Sequence, residues 1–307
     1  MIVTGKVSIH SVIIDQRHQL YMVLISSLIA VGIYEVLGKR WVSIQITPLT
    51  ALGVALGVFL SLRNNVVYER YWEARTLWGR LVNVSRTFLR QLAVFLRPRK
   101  DTGGDKAERE TFIHEMAYRQ IAFAQAFCAH LRGDVDGGEG LEKWIACPSC
   151  LAKIRKGGNI PAALVHQMGE RLHDAWQRGM VSDFHLARLD ESMTEFTDIL
   201  GGCERIRNTP LPPAYTYLSH KIVLFYCCLV PFGLVADIRF LTPALALAIA
   251  FAFLTLDRIS DLIESPFSRG PNDLPLDALT RIIEIDTLKR LDEDAPPPLE
   301  AVDGVLL

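Results

Sequence analysis

Four stretches of this chain are apolar for long enough to cross a bilayer, alone or with their flanks. They are LYMVLISSLIAVGIYEVLG (20–38), broken only by Glu35 near its end, and ITPLTALGVALGVFLSL (46–62). Then come IVLFYCCLVPFGLVA (222–236), preceded by AYTYLSHK, and FLTPALALAIAFAFLTL (240–256). Short links join the first to the second and the third to the fourth, so the pattern predicts two helical hairpins. The long stretch between them is amphipathic instead. ARTLWGRLVNVSRTFLRQLAVFL (74–96) puts Leu77, Leu81, Val84, Phe88, Leu92 and Phe95 on one stripe, and 107–131 and 161–179 repeat the helical period. Residues 182–206 predict another helix, with Ser182 or Asp183 as N-cap and Gly201-Gly202 near its end. No run alternates as a strand does. RGDVDGGEG (132–140) predicts a loop, and the acidic, Pro-rich end LDEDAPPPLEAVDGVLL (291–307) a mobile tail.

The expectation is an all-α membrane protein. Residues 1–62 hold an N-terminal segment and two transmembrane helices (about 20–38 and 46–69). Residues 63–213 form a cytosolic helical region, 214–260 a second transmembrane pair, and 261–307 a cytosolic C-terminal segment. Composition agrees: mean hydropathy is +0.21, yet 22% of the residues are charged, which suits a few spans plus a soluble part. A net charge of −1 does not suggest a nucleic-acid partner. The N-terminus lacks the compact apolar core and small-residue cleavage site of a signal peptide. Arg63, Arg70, Arg75, Arg80, Arg86 and Arg90 follow the second run and outnumber Lys39 and Arg40 in the opposite loop. Both termini are therefore expected in the cytoplasm.

The second apolar run does not stop at its polar end. GVALGVFLSLRNNVVYERYWEAR (53–75) continues as one helix with no Gly or Pro at the junction. Val54, Val58 and Leu62 are four apart and form a ridge. Gly53, Gly57 and Ser61 form a small-residue groove beside it, which lets another helix approach closely. The ridge fits an apolar pore neck that gates by dewetting, or an ordinary packing face. Arg63 is turned about 100° from Leu62. That points it to a subunit or hairpin contact rather than to a lumen. Asp257, Asp261 and Glu264 share a face at the end of the fourth run, where they either concentrate cations or pair with the arginines.

The exit from the second run, RNNVVYERYWEARTLWGRL, resembles the bestrophin family, in particular its bacterial members. GCERIRNTPLPPAYTY (202–217) resembles that family's entry to the third span, and ESPFSRGPNDLPLDAL (264–279) the segment after the fourth. The resemblance implies a homopentameric, all-helical ion channel of a bacterial inner membrane, embedded in lipid and conducting monovalent ions. It implies four spans per subunit, with the second lining the neck. The family's neck positions fall on Val54, Val58 and Leu62, and a second, cytosolic constriction on Phe184. Two departures stand out. The Asp-rich calcium clasp of animal members is reduced here to Asp273 and Asp277, so no calcium or other cofactor is expected. The neck is aliphatic where animal members use mainly phenylalanine, which leaves chloride against sodium or potassium open.

Other chemistry has weaker support. Asp257-x-x-x-Asp261 and Asp273-x-x-x-Asp277 match the spacing of magnesium-diphosphate sites in membrane prenyltransferases, but both pairs fall on one short segment. A non-conducting membrane scaffold would show the same spans. Of the six cysteines, Cys147 and Cys150 alone (CPSC) have metal or redox spacing, and one pair is not enough for zinc. The histidines at 114, 130, 166, 173 and 185 are scattered, and no nucleophile stands in a recognisable elbow.

Overall fold

A computed structural model describes residues 14–97, 105–134 and 140–306. Its elements are helices: α1 (Arg17–Val31), α2 (Ile46–Phe95), α3 (Asp105–Arg132), α4 (Leu141–Trp144), α5 (Pro148–Lys156), α6 (Ile160–Gln177), α7 (Asp183–Asn208), α8 (Pro213–Ile238), α9 (Thr242–Ile263) and α10 (Leu276–Arg290). Among the described residues no strand forms; Val302 and Val305 make an isolated bridge. Most of the loop expected at 132–140 lies outside the described residues. The chain divides into two compact units. One comprises the described residues up to Tyr71 with Pro210–Ser265. The other comprises Trp72–Thr209 and the stretch from Pro266. Helix α2 contributes to both.

In the first unit, α1, the start of α2, α8 and α9 share a core of Val23, Leu56, Leu60, Val223, Tyr226, Cys227, Val230, Ala246, Ala250 and Leu254. Small residues line the contacts: Ser27 and Ala30 on α1, Ala246 and Ala250 on α9. Gly53 is the tightest position, because a Cβ there would overlap the Tyr226 hydroxyl. The groove predicted on α2 thus receives a side chain of α8 at Gly53, whereas Gly57 has open space beside it. Large apolar residues point outward, among them Tyr21, Ile25 and Leu28 on α1 and Tyr217, Ile222 and Phe225 on α8. An apolar outside around a small-residue inside is the arrangement suited to lipid.

Among the described residues, three continuous helical stretches are long and apolar enough to cross a membrane: Arg17–Val36, Arg40–Phe95 and Pro213–Ile263. The third folds back on itself. Arg239 takes a positive φ of 48° between α8 and α9, and Ser219 then meets Asp257 while Tyr226 meets Phe253. That is the predicted second hairpin. Helix α1 packs on both members of that pair. Ser26 bonds the Cys228 carbonyl at 2.6 Å, and Arg258 reaches Asp15, just before α1, at 2.7 Å.

The second unit packs α3, α6, α7 and α10 with the later part of α2. Its centre is aromatic: Trp78 stacks on Phe127 at 5.2 Å, and Phe123 and Phe88 both meet Phe196. The buried stripe of α2 is broader than the sequence predicts. Trp78, Ser85 and Leu89 join Leu77, Leu81, Phe88 and Leu92, with Leu96 buried just past the helix end, while Val84 and Phe95 lie at its flank, half-buried. Gly201-Gly202 lies near the end of α7, as the sequence predicts. The helix continues to Asn208, and Gly202 lies inside it against Leu77, where a Cβ would come within 3.0 Å of that side chain. Helix α10 was not predicted. Its buried face includes Thr280 and Thr287, whose hydroxyls bond the carbonyls of Leu276 and Ile283 one turn back. Past α10, Glu293 ties the start of the tail to Tyr118 at 2.8 Å and His114 at 3.0 Å.

Candidate functional site

Helix α2 is 50 residues long, about 75 Å at 1.5 Å per residue. Pro48 lies in its first turn, where a missing N–H has no partner to lose. Leu49, Gly53, Leu56, Leu60, Arg63 and Val67 make the buried stripe, spaced alternately three and four apart. The ridge predicted from spacing is about 180° from that stripe at 100° per residue. Val54, Val58 and Leu62 are 64, 56 and 60% exposed, although all three are apolar. The same exposed face continues past the ridge to Asn65 and Glu69.

One residue beyond the ridge the stripe carries a charge. Arg63 is fully buried. Its Nη1 donates to Asp257 Oδ1 at 2.5 Å and to Ser219 Oγ at 3.0 Å, and its Nη2 to Asp261 Oδ1 at 2.9 Å. Ser219 donates in turn to Asp257 at 2.9 Å. His220 contacts Asp257 with Nδ1 and lies 3.3 Å from Asp261 with Nε2. Next to it, Asn64 donates to the Leu256 carbonyl at 3.1 Å and accepts from Ser260. The network ties α2, α8 and α9 together. A guanidinium costs several kcal/mol to bury and is retained only where carboxylates and hydroxyls use its donors. The i,i+4 spacing of Asp257 and Asp261 supplies two carboxylates to one fork.

The structure therefore places Asp257 and Asp261 on Arg63, not facing open solvent as free acceptors. Glu264 follows α9, half-buried, and among the described residues it joins no ion pair. The partners on α8, Ser219 and His220, escaped the sequence reading. Their signal was two polar residues in the flank of an apolar run, which is also how an ordinary helix end looks.

Phe184 belongs to the second unit and is 86% exposed, so it is no core aromatic. Its neighbours are fixed on both sides. Ser182 caps α7 by accepting the His185 N–H at 3.4 Å, Asp183 accepts from Trp176 Nε1 at 2.6 Å, and His185 stacks on Phe95 at 4.3 Å. The ring of Phe184 is left to project from a braced first turn.

The remaining acidic candidates already have partners. Asp273 accepts the Gly270 N–H at 2.6 Å, and burial pushes its carboxyl above the usual range despite that bond. Asp277 pairs with Arg132 at 2.5 Å. Burial opposes the charge on Arg132, but the bond to Asp277 together with the nearby negative charges of Cys128, Asp277 and Asp134 outweighs it and holds the guanidinium above its ordinary value. All four aspartates of the prenyltransferase-like spacing thus answer to an arginine or a backbone N–H. Among the described residues no cluster of three metal-ligating side chains occurs.

The profile of the bacterial and fungal bestrophin proteins matches residues 1–289. A voltage-dependent anion channel-forming protein, YneE of Salmonella typhi, is 36% identical over 281 residues, covering 89% of this chain and 84% of that protein. A protein of the same description from Mesorhizobium japonicum, mll4386, is 36% identical over 268 residues, with 85% and 82% covered. A crystal structure of a bacterial bestrophin homologue from Klebsiella pneumoniae superposes with a TM-score of 0.81 at 29% identity, over 90% of this chain and 98% of that one. The chain belongs to the bacterial and fungal bestrophin family, whose members here are channel-forming proteins and not enzymes.

Proposed function

We propose that this protein forms an ion channel for small monovalent ions, built from five copies with one α2 from each around a central pore. One observation carries the reading. The apolar ridge Val54, Val58, Leu62 is exposed in the protomer and faces away from the core that α2 shares with α8 and α9. Copies of α2 facing an axis would stack these side chains into three apolar rings, a barrier that water and ions cross only when it wets. Lipid would also cover such a ridge, but lipid gives no reason for it to continue into Asn65 and Glu69. In this reading α1, α2, α8 and α9 are four spans of a bacterial inner membrane, and both termini are cytoplasmic. Phe184 forms a second constriction on the cytoplasmic side. Calcium has no part, since Asp273 and Asp277 serve the fold. Asp257 and Asp261 neutralise Arg63 and do not concentrate cations. The names of the relatives make an anion the first ion to test.

The experiment is the reversal potential of the purified protein in planar bilayers under a salt gradient, with gluconate replacing chloride and N-methylglucamine replacing sodium. Reversal near the chloride equilibrium assigns an anion channel, and reversal near the sodium equilibrium a cation channel. Leu62→Ala and Val58→Ala are expected to raise conductance, because a wider, less apolar ring hydrates more easily. Unchanged current from both variants, correctly assembled, would remove the neck assignment. No current from any assembled form would leave a scaffold.

A further inference from the structure

CPSC, residues 147–150, has no part in the pore, yet its two sulfurs are held together. Cys147 is the N-cap of α5, and its Sγ accepts the Cys150 N–H at 3.3 Å. The Cys150 thiol donates to the same sulfur at 2.6 Å, and the Ser149 hydroxyl lies 3.1 Å from it. Pro148 occupies the first helical position, where its fixed φ suits the turn. Both cysteines are partly exposed, while Cys128, Cys203 and Cys227 are buried and Cys228 lies within the apolar α8.

The turn rests on a rigid base. Leu151 and Ile154 of α5 are buried, and the Cys150 carbonyl accepts from Gln167 Nε2 at 3.1 Å. Gln167 takes a bond from Arg119 at 2.8 Å, and Arg119 and Arg171 converge on Glu115. Zinc would need further ligands that the described residues do not bring to this place.

We propose that Cys147 and Cys150 form a reversible thiol–disulfide site whose oxidant is a low-molecular-weight disulfide of the glutathione type. The Cys147 thiolate attacks one sulfur of that disulfide, and the other sulfur leaves as a thiolate. Cys147 then carries a mixed disulfide and no longer accepts from the Cys150 thiol. Cys150 loses its proton, attacks Cys147 Sγ and expels the second small thiolate. Two protein thiols give up two electrons and two protons. One small disulfide takes them up and becomes two thiols.

The local bonds explain the order of attack. The Cys150 thiol, then the Ser149 hydroxyl and the Cys150 N–H, stabilise the anion and hold the Cys147 thiol down at about 7. Burial pushes Cys128 up to about 12 and Cys203 beyond the ordinary thiol range. Near neutral pH, Cys147 is therefore the reactive thiol of the soluble unit. This chemistry is independent of the channel reading.

The test uses the full-length protein in detergent, equilibrated at pH 7 in mixtures of reduced and oxidised glutathione. After an acid quench, free thiols are blocked with N-ethylmaleimide and the peptides are weighed. The expected result is a 147–150 peptide that loses both N-ethylmaleimide labels with a defined midpoint, its mass then two hydrogens below that of the unlabelled dithiol, while the other four cysteines stay labelled. Cys147→Ser abolishes the change. Iodoacetamide at pH 7 should modify Cys147 roughly 5–10-fold faster than an unperturbed cysteine, the gain in thiolate outweighing the loss of intrinsic nucleophilicity. Ser149→Ala should reduce that advantage. The proposal is overturned if both cysteines remain alkylatable throughout the series, if a glutathione adduct accumulates in place of the internal disulfide, or if stoichiometric zinc is released when the pair is alkylated.

Discussion

The buried arginine offers the sharpest test of how the membrane-exit region is held. Asp257→Asn keeps the shape of the side chain and removes its charge. The amide must then meet Arg63 Nη1, the Ser219 hydroxyl and His220, where the carboxylate accepts from all of them. Arg63 stays at 0% exposure, with Asp261 as its remaining counter-charge at 2.9 Å. Breaking a buried pair by removing one partner costs about 3–5 kcal/mol. Because Asp261 still holds one side of the fork, the lower end, about 3 kcal/mol, is expected. At roughly 2 °C per kcal/mol for a chain of this size, the melting temperature should fall by about 6 °C. The assay is the loss of the monodisperse gel-filtration peak on heating in detergent. The control is the double replacement Arg63→Met with Asp257→Leu, which removes both charges and should recover most of the loss. A Tm for Asp257→Asn within about 1 °C of the parent protein, or a double variant no better than the worse single one, would refute the idea that charge pairing in a dry site holds these helices.

Three other perturbations have defined outcomes. Gly53→Val places a side chain where the Tyr226 hydroxyl lies, so it should destabilise the protein by about 1–3 kcal/mol; adding Tyr226→Phe removes that hydroxyl and should restore part of the loss in the same melting assay. Phe184→Ala should leave the melt within about 0.5 kcal/mol of the parent, since the ring touches little, and yet alter single-channel current. Burial raises the carboxyl of Glu115, but its bonds to Arg171 and Arg119 outweigh this and hold it below its ordinary value. Its contribution is therefore fully present above the unfolded value of about 4.5 and is lost as pH falls through the folded value. The stability gap between the parent and Glu115→Gln should accordingly be constant near neutrality and close in acid, and a gap independent of pH down to pH 3 would contradict this.

The periodicity of the chain was enough to reveal what depends on neighbours a turn or two away. Helices α2, α3, α6 and α7 follow from apolar residues three and four apart, and the Val54–Val58–Leu62 ridge from a spacing of four, because a helix puts such residues on one face wherever it is packed. Local bonding can also hide a helix. In α10 the polar Thr280 and Thr287 fall on the buried face, where each hydroxyl turns back to its own helix and needs no distant partner. The tertiary structure decided everything that depends on which remote group faces a side chain. The sequence turned Arg63 toward a subunit or hairpin contact and offered Asp257 and Asp261 as partners of the arginines, without saying which arginine they meet. The burial of Arg63 follows from Asp257 and Asp261, about two hundred positions along the chain. Gly202 stands near the end of its helix, and only the tertiary structure shows that it is a close approach to Leu77. Periodicity records which way a residue points. Desolvation, charge pairing and close packing depend on what it points at, and that is set only when distant segments meet.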